Sequence, residues 1–231
     1  KSSQKDIIRS TAEIIRQYSG ENEVCFYLTD LKKYLRLKDF NKITVRENDG
    51  VRILRENGVL GEQVLDPTLL LDINDWNLVM ESIDLPNEYI LLYQVNHNKD
   101  LCKNADAFAK RKGMKLIRVT NDMSEIFWGE GFTYLPTPAQ FLYIIKNAKY
   151  VITDSFHGTC FCINFNKNFI DVLPENHSQR NRSVLEFFNL TDRIIVGDKF
   201  DLVEKGIDWS KVNNILIEQR EISMEKLNNL C

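Results

Sequence analysis

The chain has 231 residues, 43% of them hydrophobic and 27% charged, with a formal net charge of −3 at pH 7. This is the composition of a globular protein with a substantial core, and its charge balance gives no electrostatic basis for binding nucleic acid. No apolar run approaches the roughly 20 residues of a membrane-spanning helix, and the first residues lack a signal-peptide core, so we expect a cytoplasmic protein that does not span a membrane.

The chain begins with alternating helix and strand patterns. Isoleucines on one stripe predict a helix over "KDIIRSTAEIIRQY" (5–18). The segment "EVCFYLT" (23–29) then predicts a strand, and "LKKYLRLKDF" (31–40) predicts a second helix. The first forty residues are therefore expected to be α/β in character.

The same alternation continues up to about residue 75. "NKITVRE" (41–47) predicts a short strand, and "NDGVRILREN" (48–57) predicts a helix closed by Gly58. The next apolar segment is interpreted as a buried strand that Pro67 stops. We interpret residues 1–75 as a shortened or partial N-terminal α/β domain, and expect that the chain is incomplete at its N-terminus.

A parallel sheet is predicted from about residue 84 onward. "YILLYQV" (89–95) is a near-continuous apolar run, as expected of a strand covered on both faces. A polar loop, a helix at 100–112 and the strand "MKLIRV" (114–119) follow it. This order is that of a βαβ unit in a parallel sheet.

Helix and strand patterns continue to the C-terminus. Thr137 and Gln140 form a predicted capping box at the start of the helix "TPAQFLYIIKNA", and Ser183 and Glu186 form another. Strands are predicted at "KYVIT", "NFIDVL" and "RIIV", and amphipathic helix in the tail. We therefore predict an α/β fold with a Rossmann-like doubly wound parallel sheet, in a second domain over residues 76–231 that ends in helices.

The five cysteines give no sign of a disulfide framework or a metal site. Their number is odd and their spacing irregular. Cys160 and Cys162, two apart on a predicted helix, point in different directions and lack companion ligands at zinc-site spacing. We expect reduced thiols, no metal and no cofactor.

The turn "DSFHG" (154–158) is the first candidate functional site. It follows a predicted strand, and we expect the next helix to begin near Gly158 or Thr159, so that its positive dipole end faces the turn. Ser155 and Thr159 add hydroxyl groups, and Gly158 lets the backbone approach a ligand. This combination predicts a small anion site for a phosphate or carboxylate, with His157 beside it. A histidine that only completes the turn is the alternative, and Asp154 is expected to cap the helix or orient the imidazole.

Two arginines supply a second cluster after the next strand. Arg180 and Arg182 flank the predicted start of a helix, in the segment "PENHSQRNRSVLEFF". Guanidinium groups pair well with phosphate and carboxylate oxygens. If the sheet is parallel, this cluster opens at the same edge as the His157 turn; solvated surface charge is the alternative.

Four motifs in this order resemble the polysaccharide pyruvyl transferase family, over about residues 40–217: "TVRE" (44–47), "VLDPTLLLD" (64–72), "NAKYVITDSFHGTCFCINFNKNFI" (147–170) and "RNRSVLEFFNLTDRII" (180–195). The "TDSFHGT" block is the most specific of them. The resemblance implies a GT-B-like architecture of two Rossmann-like halves, with the donor held mainly by the second.

The resemblance also implies a reaction and its residues. The enolpyruvyl group of phosphoenolpyruvate would pass to sugar hydroxyls of a surface polysaccharide or its lipid-linked precursor, at the inner face of the membrane, with release of phosphate. The family's histidine corresponds to His157. One of its two arginines corresponds to Arg46, and the other corresponds to either Arg180 or Arg182. His157 would act as a general acid or as a cationic phosphate contact. A nucleotide-sugar glycosyltransferase and a non-catalytic binding module of the same fold are the alternatives.

Overall fold

The computed structural model describes residues 43–120, 122–128, 132–134, 136–173, 178–195, 197 and 199–228. The helices and the strand predicted within residues 5–40 lie outside these described residues. The chain divides into two compact units, of which the structure describes residues 43–64 with 223–228 in the first and most of Leu65–Ile222 in the second. The prediction of a shortened first domain over residues 1–75 stays a prediction.

The described part of the first unit is a small βαβ element. Strand β1 (Thr44–Val45) pairs in parallel with β2 (Glu62–Gln63), and helix α1 (Asn48–Glu56) connects them. The short strand and the helix that the sequence predicts are thus confirmed. The chain leaves α1 through Gly58, whose φ of +67° is a conformation that glycine adopts without strain.

Pro67 does not end a buried strand, because β2 has already ended at Gln63. Instead Pro67 is the first residue of helix α2 (Pro67–Leu70), where its fixed φ and missing N–H carry no penalty. Asp66 caps that helix by accepting a hydrogen bond from the Thr68 N–H. Helix α3 (Ile73–Asn77) follows, with a capping box between Asp72 and Asp75.

The second unit is built on a parallel sheet, as predicted. Within the described residues its strands are β3 (Tyr89–Tyr93), β4 (Lys115–Thr120), β5 (Phe132–Tyr134), β6 (Tyr150–Thr153), β7 (Asn168–Val172) and β8 (Ile194–Ile195). Their order is β5-β4-β3-β6-β7-β8, and every pairing is parallel. The chain builds outward from β3 to β5, then returns to the other side of β3 to add β6. The order reverses between β3 and β6, which is where ligands bind in such sheets.

Helices cover both faces of this sheet. Besides α2 and α3, the α-helices described in the second unit are α4 (Lys99–Lys112), α5 (Pro138–Asn147), α6 (Phe156–Asn164), α7 (Ser178–Phe187) and α8 (Trp209–Asn228), which continues into the first unit. Leu91 of β3 faces the layer of α5 and α6, whereas Ile90 and Leu92 face α4. Successive strand residues point to opposite faces, which is why the strands read as continuous apolar runs. The predicted fold class, a Rossmann-like doubly wound α/β sheet, is confirmed. Each half of a GT-B-like molecule has a fold of this type.

Helix starts were predicted with mixed success. The capping box of α5 is confirmed, since Thr137 and Gln140 exchange side-chain to backbone hydrogen bonds. The capping box at Ser183 and Glu186 is wrong, because α7 already begins at Ser178 and Ser183 lies inside it. In the part of the chain that the structure describes, no helix combines the length and the hydropathy that crossing a membrane requires.

Candidate functional site

The segment that carries His157 forms the start of helix α6, directly behind the end of β6. Ser155 is the N-cap, and its hydroxyl oxygen accepts a hydrogen bond of 3.3 Å from the Gly158 N–H. The helix therefore begins at Phe156, earlier than the predicted start at Gly158 or Thr159. His157 lies in the first helical turn at the carboxyl edge of the sheet, with 51% of its side chain exposed, so its ring can reach a ligand.

Asp66 faces the imidazole of His157. Its Oδ2 atom lies 3.9 Å from His157 Nε2, and its side chain is only 3% exposed. The other carboxylate oxygen accepts hydrogen bonds from the N–H and the hydroxyl of Thr68. A buried carboxylate at this distance stabilises positive charge on the ring. Sequence reasoning missed Asp66, although the motif "DPTLLLD" contains it and the cap before Pro67 was the available signal.

Arg180 lies beside the same helical turn. Its guanidinium carbon is 4.6 Å from the centroid of the Phe156 ring, a cation–π geometry. The Phe156 ring in turn meets the His157 ring edge-on, with centroids 5.4 Å apart. The structure therefore brings His157 and Arg180 together around Phe156.

Arg182 does not share this place. Both arginines lie within α7 rather than flanking its start, and residues two apart on a helix face different directions. Arg182 is exposed, whereas Arg180 is half-buried. Of the two arginines left open by the motif, Arg180 is the one at the His157 turn.

The small residues next to His157 pack helix α6 against the sheet rather than pointing to solvent. A Cβ atom on Gly158 would lie 2.5 Å from Thr153 Oγ1 and 3.0 Å from Tyr93 Cδ1, so glycine lets α6 pack against the strands. The Thr159 side chain is buried, and its hydroxyl donates to Asp171 Oδ2 at 2.5 Å. Ligand contacts by Gly158, Ser155 and Thr159 stay a prediction.

Asp171, at the end of β7, joins the helices that carry His157 and Arg180. Its Oδ2 atom accepts from Thr159 of α6 and, at 2.8 Å, from the Asn181 side chain of α7. Its Oδ1 atom is buried and has no hydrogen-bond partner in the described part of the chain. Burial raises the pKa of Asp171 to about 6, because the carboxylate is removed from water.

Asp154 holds two loops together at the reversal point of the sheet. Its carboxylate accepts hydrogen bonds from the Val95 N–H at 2.6 Å and from the Asn96 N–H at 3.0 Å, both in the loop after β3. The expectation that Asp154 caps α6 is wrong, since Ser155 performs that role. Asp154 instead fixes the β3 loop against the start of the His157 helix.

A second polar cluster surrounds a cavity of about 380 Å³ near the ends of β3 and β4. His97 of the β3 loop lies at this cavity, and its Nδ1 atom is hydrogen-bonded to Glu125. Glu125 is 2% exposed, while the His97 side chain is half exposed. His97 was missed from the sequence, where it stood in a polar loop after a predicted strand.

The remaining predicted site residue, Arg46, belongs to the first unit. Its guanidinium lies 3.8 Å from the Glu47 carboxylate, and its carbonyl accepts a hydrogen bond from the Gln63 side chain. Its role in substrate binding stays a prediction. Cys102, Cys160 and Cys162 are buried, and among the described residues no three His, Cys, Asp or Glu side chains cluster as metal ligands would.

In a comparison with protein families, the model for polysaccharide pyruvyl transferase matches residues 26–177. No curated protein is significantly similar to the chain in sequence. Among solved structures, the UDP-GlcNAc 2-epimerase of Methanocaldococcus jannaschii in complex with UDP-GlcNAc and UDP is 14% identical with a TM-score of 0.46. That match covers 77% of this chain and 54% of the epimerase chain, so the chain spans about half of the epimerase's length. The S. aureus MnaA structure with UDP is 11% identical with a TM-score of 0.44, covering 85% of this chain and 70% of the other.

Proposed function

Because the chain belongs to the polysaccharide pyruvyl transferase family, we propose that it transfers the enolpyruvyl group of phosphoenolpyruvate to hydroxyl groups of a sugar. The acceptor is a surface polysaccharide or its lipid-linked precursor, and the products are a cyclic pyruvate ketal and inorganic phosphate. The reaction takes place in the cytoplasm, at the inner face of the membrane when the acceptor is lipid-linked. The observation that carries this proposal is that the Phe156 ring, in the first turn of α6, contacts both the His157 ring and the Arg180 guanidinium.

The donor site must hold two anionic groups, the phosphate and the carboxylate of phosphoenolpyruvate. Arg180 supplies a guanidinium group suited to either. The positive end of the α6 dipole points to the same place and stabilises negative charge near the first turn. Arg180 and the helix terminus together can therefore neutralise much of the donor's charge.

His157 supplies a proton in this scheme. Transfer requires protonation of the donor's methylene carbon, which makes the adjacent carbon electrophilic. The Asp66 carboxylate lies 3.9 Å from Nε2 of the ring, where it would interact favourably with the protonated imidazole that donates the proton. We propose the general-acid role for His157, and a positioned acid contributes about 10²–10⁴-fold to a rate.

The replacement His157→Ala tests the proposal in a phosphate-release assay with phosphoenolpyruvate and a panel of glycan acceptors. We expect the rate to fall at least about 100-fold, with phosphoenolpyruvate affinity nearly unchanged if His157 is the acid. An unchanged circular dichroism spectrum serves as the folding control.

Two results would count against the proposal. A variant that retains nearly full turnover would remove His157 from the mechanism. Calorimetric binding of nucleotide sugars, with no binding of phosphoenolpyruvate, would instead support a glycosyltransferase.

A further inference from the structure

The cavity beside His97 has the size and position of a ligand pocket. It lies between the ends of β3 and β4 and the start of α5, at the carboxyl edge of the sheet. Its volume of about 380 Å³ falls within the roughly 300–1,000 Å³ of small-molecule sites. The rings of Tyr93 and Phe141 form one wall, with centroids 4.6 Å apart.

The chemistry of the walls indicates a neutral ligand. Tyr93 and Phe141 offer aromatic surface, and Val95, Val119 and two prolines add apolar surface. The polar groups are the Gln94 amide, the Thr120 hydroxyl and the His97 imidazole, and no lysine or arginine occurs among the lining residues that the structure describes. Such a pocket suits a ring with an apolar face and hydroxyl groups at its edge, which is the chemistry of a sugar. A dianion such as phosphoenolpyruvate would lack a counter-charge there.

His97 is held as a general base would be. Its Nδ1 atom is bonded to the buried carboxylate of Glu125 and lies 3.8 Å from Asp122 Oδ2. Because Nδ1 is occupied by this hydrogen bond, Nε2 is the ring nitrogen left for contact with a ligand. Arg118 is also buried, and it donates a hydrogen bond to the Glu125 carbonyl at 3.2 Å. This arrangement fixes the imidazole and leaves one nitrogen for chemistry.

Tyr93 connects the cavity with the His157 helix. Its ring lines the cavity, and its hydroxyl interacts with the side chain of Ser155, the N-cap of α6. Asp154 ties the β3 loop, which carries His97, to the residues just before α6. The cavity and the proposed donor site are therefore neighbours that share one wall.

We propose that this cavity binds the acceptor sugar and that His97 is the catalytic base that accepts the proton of the attacking hydroxyl. The inference rests on the proposed function. The first hydroxyl oxygen bonds to C2 of phosphoenolpyruvate, its proton passes to His97, and the methylene carbon gains a proton from His157. The second hydroxyl oxygen then bonds to C2 as the C2–phosphate oxygen bond breaks, and its proton leaves with the phosphate.

A matched pair of tryptophan variants tests the binding part of the proposal. Val95 lines the cavity and Val79 does not, yet both are 54% exposed, so either position accepts a larger side chain without disturbing the core. The probes are methyl glycosides of common hexoses and N-acetylhexosamines, and uridine serves as the neutral aromatic comparison. Binding of each probe is measured by saturation-transfer NMR on the full chain. Val95→Trp is expected to weaken binding of at least one glycoside tenfold or more, and Val79→Trp to leave it within twofold.

The outcomes separate this proposal from the donor proposal. Glycoside binding that resists Val95→Trp, absence of glycoside binding, or binding of uridine alone would overturn the sugar site. Calorimetry with phosphoenolpyruvate is run on the same variants. Loss of glycoside binding with intact phosphoenolpyruvate binding supports both proposals, whereas glycoside binding at the cavity without any phosphoenolpyruvate binding supports the sugar site and rejects the donor.

The variant His97→Asn tests the catalytic part. We expect kcat to fall about 100-fold or more, glycoside affinity to stay within about threefold, and the acidic limb of the pH–rate profile to disappear. A kcat within threefold of the wild-type value, or an unchanged acidic limb, would remove the base role from His97.

Discussion

The two imidazoles at the edge of the sheet have carboxylate neighbours that differ in placement. Asp66 approaches Nε2 of His157 at 3.9 Å, while Glu125 is directly bonded to Nδ1 of His97. Glu125 fixes the orientation of the His97 ring through this hydrogen bond, and Asp66 places a negative charge near the His157 ring. The acid and base roles proposed above rest on the positions of the two rings, His157 at the first turn of α6 and His97 at the cavity.

The sequence allowed His157 to be predicted because a histidine after a parallel strand falls at the ligand edge of the sheet. It did not allow Asp66 or Glu125 to be predicted as partners. Asp66 is 91 positions before His157 in the chain and Glu125 is 28 positions after His97, and only the packing of distant segments brings such pairs together.

The replacement Asp66→Asn tests the charge that faces His157. Asparagine is as good an N-cap as aspartate, so the hydrogen bond from the Thr68 N–H is kept and the free energy of unfolding should change by less than about 1 kcal/mol. We expect kcat to fall roughly tenfold, and activity on the alkaline side of the pH profile to be lost at a lower pH. Steady-state kinetics as a function of pH and urea unfolding measure the two effects. An unchanged pH profile would show that the carboxylate does not act on His157.

At the scale of elements, Asp171 determines how α6 and α7 sit relative to each other. It accepts hydrogen bonds from Thr159 on one helix and Asn181 on the other, and these helices carry His157 and Arg180. Nothing in the strand "NFIDVL" indicated this role, since a polar residue near a strand end is common.

The false capping box at Ser183 has a related cause, because the Ser-x-x-Glu spacing also occurs inside helices and cannot by itself mark a helix start.

The raised pKa of Asp171 gives the fold a measurable pH dependence. The folded state favours the protonated carboxyl, whose pKa is about 6 against an ordinary value of 3.8. The stability gained from this group is therefore complete below about pH 4 and is lost as the pH rises through 6. Asp171→Asn stays neutral, so its free energy of unfolding should rise relative to the wild type by about 2 kcal/mol between pH 4 and pH 7.

Urea unfolding of both proteins at several pH values measures this difference. Equal changes with pH in the two proteins would show that Asp171 does not titrate in this range. A variant that loses stability at every pH would show that asparagine fails to keep the bonds to Thr159 and Asn181.

At the scale of the whole molecule, sequence patterns were sufficient for the class of fold but not for its sites. Near-continuous apolar runs predicted the parallel strands, and the parallel strands placed their loops at one edge. The cavity between β3, β4 and α5 was not predictable, because its shape depends on where Tyr93 and Phe141 meet across the sheet surface. Choosing between Arg180 and Arg182 likewise required knowing where α7 begins. The capping box wrongly predicted at Ser183 placed that start too late in the chain.

The central claim is that Arg180 and the first turn of α6 bind phosphoenolpyruvate. Calorimetric titration of phosphoenolpyruvate into the wild type, Arg180→Ala and Arg182→Ala tests it with two variants on one helix. The account predicts that Arg180→Ala weakens binding by tenfold or more, while Arg182→Ala stays within twofold of the wild type. Wild-type affinity in Arg180→Ala, or no binding by the wild type, would contradict it.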